Sequence, residues 1–270
     1  MTKDLTTGSP LKLIITFTFP AFLGMLFQQF YNVVDTIIVG KFLGIGPLAG
    51  VGATGSLNFM VLGFCMGICN GFAIPVAQKF GAGDQVELRK FVANSLWLVA
   101  IIALVLTVPV CVYCRPILRV MNTPEDVFEY AYQYIFIIFL GIPAALLYNI
   151  LAAILRSLGD SKTPVLFLAL SSVLNIGLDI ISIKLWGMGV DGTALATVIS
   201  QGVSGVICFF YMKKRFTVLQ MSREERRPDG AKMKRLCYMG IPMGLQYSIT
   251  AIGSLVIQAT MNGFGSVAVA

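Results

Sequence analysis

The chain has 270 residues, of which 57% are hydrophobic and only 12% charged, with a mean hydropathy of +0.82. Soluble domains carry about a quarter charged residues, so this composition cannot cover a water-exposed surface, and charge-free apolar runs of about 20 residues recur along it, each long enough to cross a bilayer as a helix. Histidine is absent, which argues against haem, His-ligated metal and His-based acid/base catalysis, and the net charge of +7 sits in connecting loops, pointing to a lipid bilayer rather than nucleic acid as partner.

Hydropathy and punctuation predict seven helices, at about 13–38, 48–78, 91–113, 130–152, 163–185, 190–211 and 236–262, so the fold class is all-α and membrane-integral. The first is too long, and too polar around Gln28, Gln29, Asn32 and Asp35, for a cleavable signal peptide. Pro20 removes a backbone donor near its start and permits a bend. Gln28, Tyr31 and Asn32 stand seven, four and three residues before Asp35 and share its side of the helix.

The second helix spaces Gly63, Gly67 and Gly71 four residues apart, which allows another helix close to its backbone. Cys111 and Cys114 form a C-x-x-C at the end of the third helix, but without a βαβ context; they and Cys65, Cys69, Cys208 and Cys237 read as packing residues. The fourth helix carries Asn149. In the fifth, Asp179 follows Asn175 by four residues, with Ser171 and Ser172 one turn further back. Gly187, Gly189 and Gly192 spell a dinucleotide fingerprint, yet no strand precedes them, so they read as a turn between spans. The sixth helix carries Thr197.

The longest polar stretch, Lys213 to Arg235, precedes the seventh helix. It divides the chain into a six-helix transmembrane lobe at 1–212, a basic, solvated cytoplasmic linker at 213–235, and the first helix of a second lobe at 236–270. Sixteen of the 20 Lys and Arg residues fall on the side shared by the N-terminus and this linker, against Lys41, Arg115, Arg119 and Lys184 on the other. The positive-inside rule then predicts a multi-pass protein of the inner (cytoplasmic) membrane with its N-terminus in the cytoplasm.

An internal repeat supports the same division. LIITFTFP at Leu13–Pro20 and RLCYMGIP at Arg235–Pro242 each open a long apolar run, offset by 222 residues, and FLG at Phe42–Gly44 faces FGS at Phe264–Ser266. Two six-helix copies would make a parallel-repeat protein of roughly 450 residues and twelve spans. The chain is expected to be the N-terminal portion of such a protein, inactive without its C-terminal lobe, with few polar partners for Gln246, Ser248, Thr250 and Gln258 of the seventh helix.

Of 13 acids, only Asp35 and Asp179 fall well inside predicted spans. Keeping a charge at the bilayer centre costs at least about 2.5–3.5 kcal/mol, so an intramembrane carboxylate marks a functional site. Thr197 and Asn149 complete a pocket with them in this reading, although Asn, Ser and Thr also commonly hold helices together.

At these residues the sequence resembles the multidrug and toxic compound extrusion (MATE) family, in its prokaryotic DinF-like and MepA-like branch, along the whole chain. FPAFLGMLFQQFYNVVDTIIVGKFLG looks like the family's first helix, with Pro20 as its bending proline and Asp35 as its essential acid; LRSLGDSKTP from Leu155 looks like its fourth-to-fifth loop. LNIGLDI from Leu174 and ALATVISQ from Ala194 resemble its fifth and sixth helices. The resemblance implies a cation site at Asp35, Asn175, Asp179 and Thr197, with Asn149 in the same hydrogen-bond network, and a substrate cavity lined by Gln28, Tyr31, Asn32 and Ser172. It further implies twelve helices in two lobes, working as a monomer when full length. Such a protein exports lipophilic, often cationic drugs by alternating access in exchange for protons or sodium, with no cofactor.

Two other readings compete with this one. A flippase of lipid-linked precursors, from the same broad superfamily, would need a basic cavity for phosphate, and no Lys or Arg falls mid-span in the predicted helices. A membrane prenyltransferase would need clustered acids for magnesium and pyrophosphate; no D-D-x-x-D run exists, so the chain is not expected to be an enzyme.

Overall fold

The structure, a computed structural model, describes residues 9–264; Lys3 and the repeat positions Gly265 and Ser266 lie outside them. Its helices are α1 (Pro10–Leu43), α2 (Ile45–Gly81), α3 (Gln85–Val112), α4 (Cys114–Val120), α5 (Phe128–Leu140), α6 (Ile142–Ser157), α7 (Lys162–Lys184), α8 (Val190–Arg215) and α9 (Gly230–Asn262), with a 3-10 turn at Thr217–Leu219. No strand occurs among the described residues. α1, α2, α3, α7, α8 and α9 are each long and apolar enough to span a membrane, and α5 with α6 makes a seventh span bent by 49°.

The breaks follow from local chemistry. α1 and α2 are separated by the single residue Gly44, whose φ of +93° is open to glycine at little cost. The bend between α5 and α6 falls at Gly141, two residues before Pro143, which has no N–H for the carbonyl one turn back. Gly141 also lies directly on Val198 of α8, so a larger residue would force the bent span off its neighbour. Gly187, with φ of +64°, makes the turn between α7 and α8 expected from its motif.

The bundle is apolar outside and selectively polar inside, as a lipid environment demands. α7 shows the inversion most plainly: Ser171, Asn175, Asp179 and Ser182 are buried, while Leu166 and Val173 are exposed. α2, α5 and α6 supply the central apolar packing through Phe72, Phe139, Leu146, Ile150 and Ile154. α1 lies at the edge, seated mainly on α7, with Phe22, Phe27 and Phe30 exposed.

α9 packs chiefly on α2, with the two backbones in direct contact. A Cβ added at Gly67 would meet the Met243 carbonyl oxygen at 2.5 Å and the Gly244 Cα at 2.7 Å; one at Gly71 would meet the Gly240 Cα at 2.5 Å. The glycine spacing on α2 is thus a helix-packing surface, as its sequence indicates. Three hydrogen bonds cross the seam: Ser248 Oγ donates to the Met60 carbonyl (3.4 Å), Ser56 Oγ to that of Ser254 (3.2 Å), and Arg235 Nη2 to Gln78 Oε1 (3.3 Å); beyond it, buried Asn262 Nδ2 donates to the Met121 carbonyl after α4 (2.9 Å). The opposite face of α9 is bare, with Tyr238 77% and Ile249 66% exposed.

The segment between α8 and α9 departs from the solvated linker expected of it. It is shorter, residues 216–229, because α8 continues to Arg215 and α9 begins at Gly230. It is also strapped to α3. Arg89 donates from Nε and Nη2 to Glu225 Oε1 (2.9 and 2.8 Å), while Glu225 Oε2 accepts from the Ser222 backbone N–H (2.8 Å). Trp97 Nε1 donates to the Arg226 carbonyl (3.0 Å), and the Asp229 N–H to Asn94 Oδ1 (2.8 Å). Lys232, at the foot of α9, then bridges Glu87 (2.9 Å) and Asp229 (3.4 Å). The fit with Arg89 pulls the Glu225 carboxyl from its ordinary value of 4.5 down to about 2.

Two outcomes follow from this packing. Gly71→Ala should lower thermal stability in detergent by about 1–3 kcal/mol through overpacking, whereas Gly55→Ala, with nothing within 4 Å of its new methyl, should leave it unchanged or higher. Equal effects would contradict a backbone-to-backbone seam. Because the Glu225 value is depressed, its stabilising contribution is present above about pH 4.5 and is lost as pH falls toward 2. Trp97 fluorescence in a Trp186→Phe background should report release of the strap across that window, and Glu225→Gln should abolish the transition.

Candidate functional site

Three helices carry a buried polar cluster because each presents polar residues at helical spacing on one side. α1 brings Tyr31 and Asp35, four residues apart; α7 brings Asn175 and Asp179, also four apart; α8 brings Thr193 and Thr197. α7 lies between the other two and packs against both. Asp35 is 8% exposed, and Asn175 and Asp179 are fully buried.

Thr197 is the centre of the hydrogen bonding. Its Oγ1 donates its one proton to the Thr193 carbonyl (3.1 Å) and accepts from Asn175 Nδ2 (3.1 Å). The Tyr31 hydroxyl lies 3.1 Å from the same oxygen. With the threonine proton committed to Thr193, Tyr31 is the donor in that pair, and both lone pairs of Thr197 Oγ1 are occupied. Thr197 therefore orients Tyr31 and Asn175.

The acceptors left over are informative. Asp35 Oδ1, both carboxyl oxygens of Asp179, and Asn175 Oδ1 are buried without a hydrogen-bond partner. Asp35 and Asp179 stand close enough to interact directly. Four buried oxygens, three of them from two neighbouring carboxyl groups, thus lack a partner, and no basic side chain forms an ion pair with either carboxyl group among the described residues. Buried acceptors of this kind are normally satisfied, and two carboxylates cannot both remain charged and bare in an apolar bundle. A proton or an oxygen-seeking cation is the chemistry that completes them.

Other residues singled out from sequence lie apart from these hydrogen bonds. Asn149 Nδ2 donates to the Ala145 carbonyl of its own helix (2.8 Å), and Ser172 Oγ to that of Leu168 (2.9 Å). Asn32 reaches only Gln29 (3.4 Å) on the exposed side of α1, and Gln28 is exposed. α1 stays helical through Pro20. One neighbour escaped the sequence reading: Tyr134 of α5, 7% exposed, lies within Coulombic range of Tyr31, Asp35 and Asp179. In a run of aromatic and branched apolar residues, nothing local marks it as part of a polar site.

The network predicts a measurable coupling. Thr197→Val removes the shared acceptor and should cost about 1–3 kcal/mol by leaving Asn175 and Tyr31 donors unpaired. In a double-mutant cycle with Tyr31→Phe, unfolding in detergent should show an interaction energy of about 0.5–3 kcal/mol. Strict additivity would mean that the Tyr31–Thr197 contact contributes nothing.

Comparison with known proteins converges on one group. The family model described as MatE matches residues 20–181. The probable multidrug resistance protein YpnP of Bacillus subtilis is 29% identical over 97% of this chain and 58% of its own length. The probable multidrug resistance protein YoeA of the same organism is 31% identical over 94% of this chain and 56% of its own. A solved MOP superfamily transporter from Pyrococcus furiosus superposes with a TM-score of 0.86 at 28% identity, over 93% of this chain and 56% of that one. The chain therefore spans a little over half the length of the relatives it matches.

Proposed function

Since the chain belongs to the MatE family, we propose that it forms the first lobe of a cation-coupled antiporter that exports lipophilic, often cationic compounds across the cytoplasmic membrane. The observation that carries this reading is the set of unpaired oxygens on Asp35, Asp179 and Asn175 beside the Thr197 network. The multidrug resistance names of the relatives support efflux as the direction.

The geometry suggests how coupling works. With neither proton nor sodium bound, the two carboxylates repel each other in a water-poor site; binding either ion neutralises one charge and ties α1 to α7. Sodium would be held by Asp35, Asp179 and Asn175 Oδ1, with Thr197 orienting the amide. α1 is the least embedded of the three helices, so a change in the pull on Asp35 moves α1 more readily than α7 or α8. Pro20 weakens the helix upstream and gives that movement a place to bend. An ion and a cationic drug that depend on the same charge then exclude one another, and the second lobe supplies the surface against which alternating access occurs.

The charge asymmetry of the loops supports a cytoplasmic N-terminus, and the strapped, basic α8–α9 segment lies on that side. The carboxylate cluster disfavours phosphate-bearing cargo at this site, so lipid-linked precursor flipping is the weaker reading.

Asp35→Asn tests the proposal, since it keeps the shape and removes the charge. In proteoliposomes of the full-length protein with an imposed pH or sodium gradient, it should abolish gradient-driven export of a fluorescent cation while insertion and folding remain normal. Asp179→Asn should also impair coupling, and Thr197→Ala less severely. Wild-type export by Asp35→Asn would remove Asp35 from the coupling machinery.

A further inference from the structure

The sequence reading placed Arg156 in a loop, but it is the second-to-last residue of α6 and is half-buried against α2. Its Nη2 donates to Asn70 Oδ1 at 3.2 Å. Among the described residues it has no carboxylate within ion-pair distance. Cys69 of α2, Tyr148 of α6 and Tyr247 of α9 lie within Coulombic range. Tyr148 is committed elsewhere, donating to the Pro164 carbonyl (3.0 Å).

The nearest acid along the chain is also spent. Asp160 accepts from the backbone N–H and the hydroxyl of Thr163 (3.0 and 2.6 Å), which fixes the start of α7. A guanidinium has five N–H donors, and here one is met by a neutral amide. Half-buried, the guanidinium keeps free donors in a fixed fork, which a planar or tetrahedral oxyanion matches in a bidentate way.

We propose that Arg156, with Asn70, forms an anion-recognition site where α6 ends against α2, taking a phosphate or carboxylate group. The site is opposite in sign to the carboxylate cluster and stands nearer the α8–α9 segment, so a ligand of one does not substitute at the other. The anion has two sources, a phospholipid headgroup reaching in from the linker-side leaflet or a dissolved phosphate.

Thermal unfolding of the full-length protein in nanodiscs distinguishes them. In pure phosphatidylcholine, with ionic strength held by chloride, added inorganic phosphate should raise the unfolding temperature of the wild type. Arg156→Gln should lose the response or need about tenfold more phosphate, Arg156→Lys should keep a weaker one, and Arg119→Gln, an exposed arginine at the other end of the bundle, should respond as wild type. If phosphate is silent but phosphatidylglycerol stabilises the wild type more than Arg156→Gln, the site stands with the headgroup as its source. If neither anion stabilises the wild type, or Arg156→Gln responds as wild type does, the proposal is wrong.

Discussion

Two carboxyl groups facing each other inside an apolar bundle set the terms for the rest of the lobe. Among the described residues neither Asp35 nor Asp179 has a basic partner, and three of their oxygens have no hydrogen bond. Everything around them reduces the freedom of the site without satisfying it. Thr197 uses its proton on its own helix and its lone pairs on Tyr31 and Asn175, so its hydroxyl has nothing left to donate to either carboxyl group. The hydrogen bonds made by Thr197 thus fix its neighbours and leave the carboxyl oxygens as unmet acceptors.

That rigidity is unevenly distributed. α7 and α8 lie within the bundle, while α1 rides on α7 with much of its surface bare. A force arising at the carboxyl pair is therefore resisted on one side and yields on the other. On the linker side, the Arg89–Glu225 pair, the Trp97 and Asn94 contacts and Lys232 join α3 to the foot of α9, so the covalent connection between α8 and α9 is also a non-covalent brace.

Much of this was legible in the sequence. Lipid imposes a simple rule, with apolar helices of sufficient length and polar side chains turned inward, and the seven predicted spans match the observed ones within several residues. Asp35 and Asp179 stood out because carboxyl groups are rare inside such segments, and the family resemblance set Asn175 and Thr197 beside them. The glycine face of α2 was equally visible, since a four-residue period leaves few alternatives. What was missed lies in contacts between distant residues. Asn94 and Trp97 pair with Asp229 and Arg226 more than a hundred positions later, and no local pattern carries that information. α6 runs on past the predicted end of its span, which carried Arg156 from an expected loop into the protein. Asn149 was placed in the site by resemblance, yet its amide turns back on its own helix.

The glycine seam between α2 and α9 has a mechanical consequence. Most helix pairs interlock through side chains that must change rotamer, or ride over one another, before either helix can slip. This pair adds a second constraint: the backbones meet at Gly67 and Gly71, while the ring of Phe72 lies on Gly240 and the side chains of Phe64 and Ile68 on Gly244. Each missing side chain on one helix is filled by the chain or a bulky group of the other, so α9 cannot slide without driving Phe72 or Ile68 into the next turn. A load placed on α9 is therefore handed to α2 as to the other half of one strut, with no play between them.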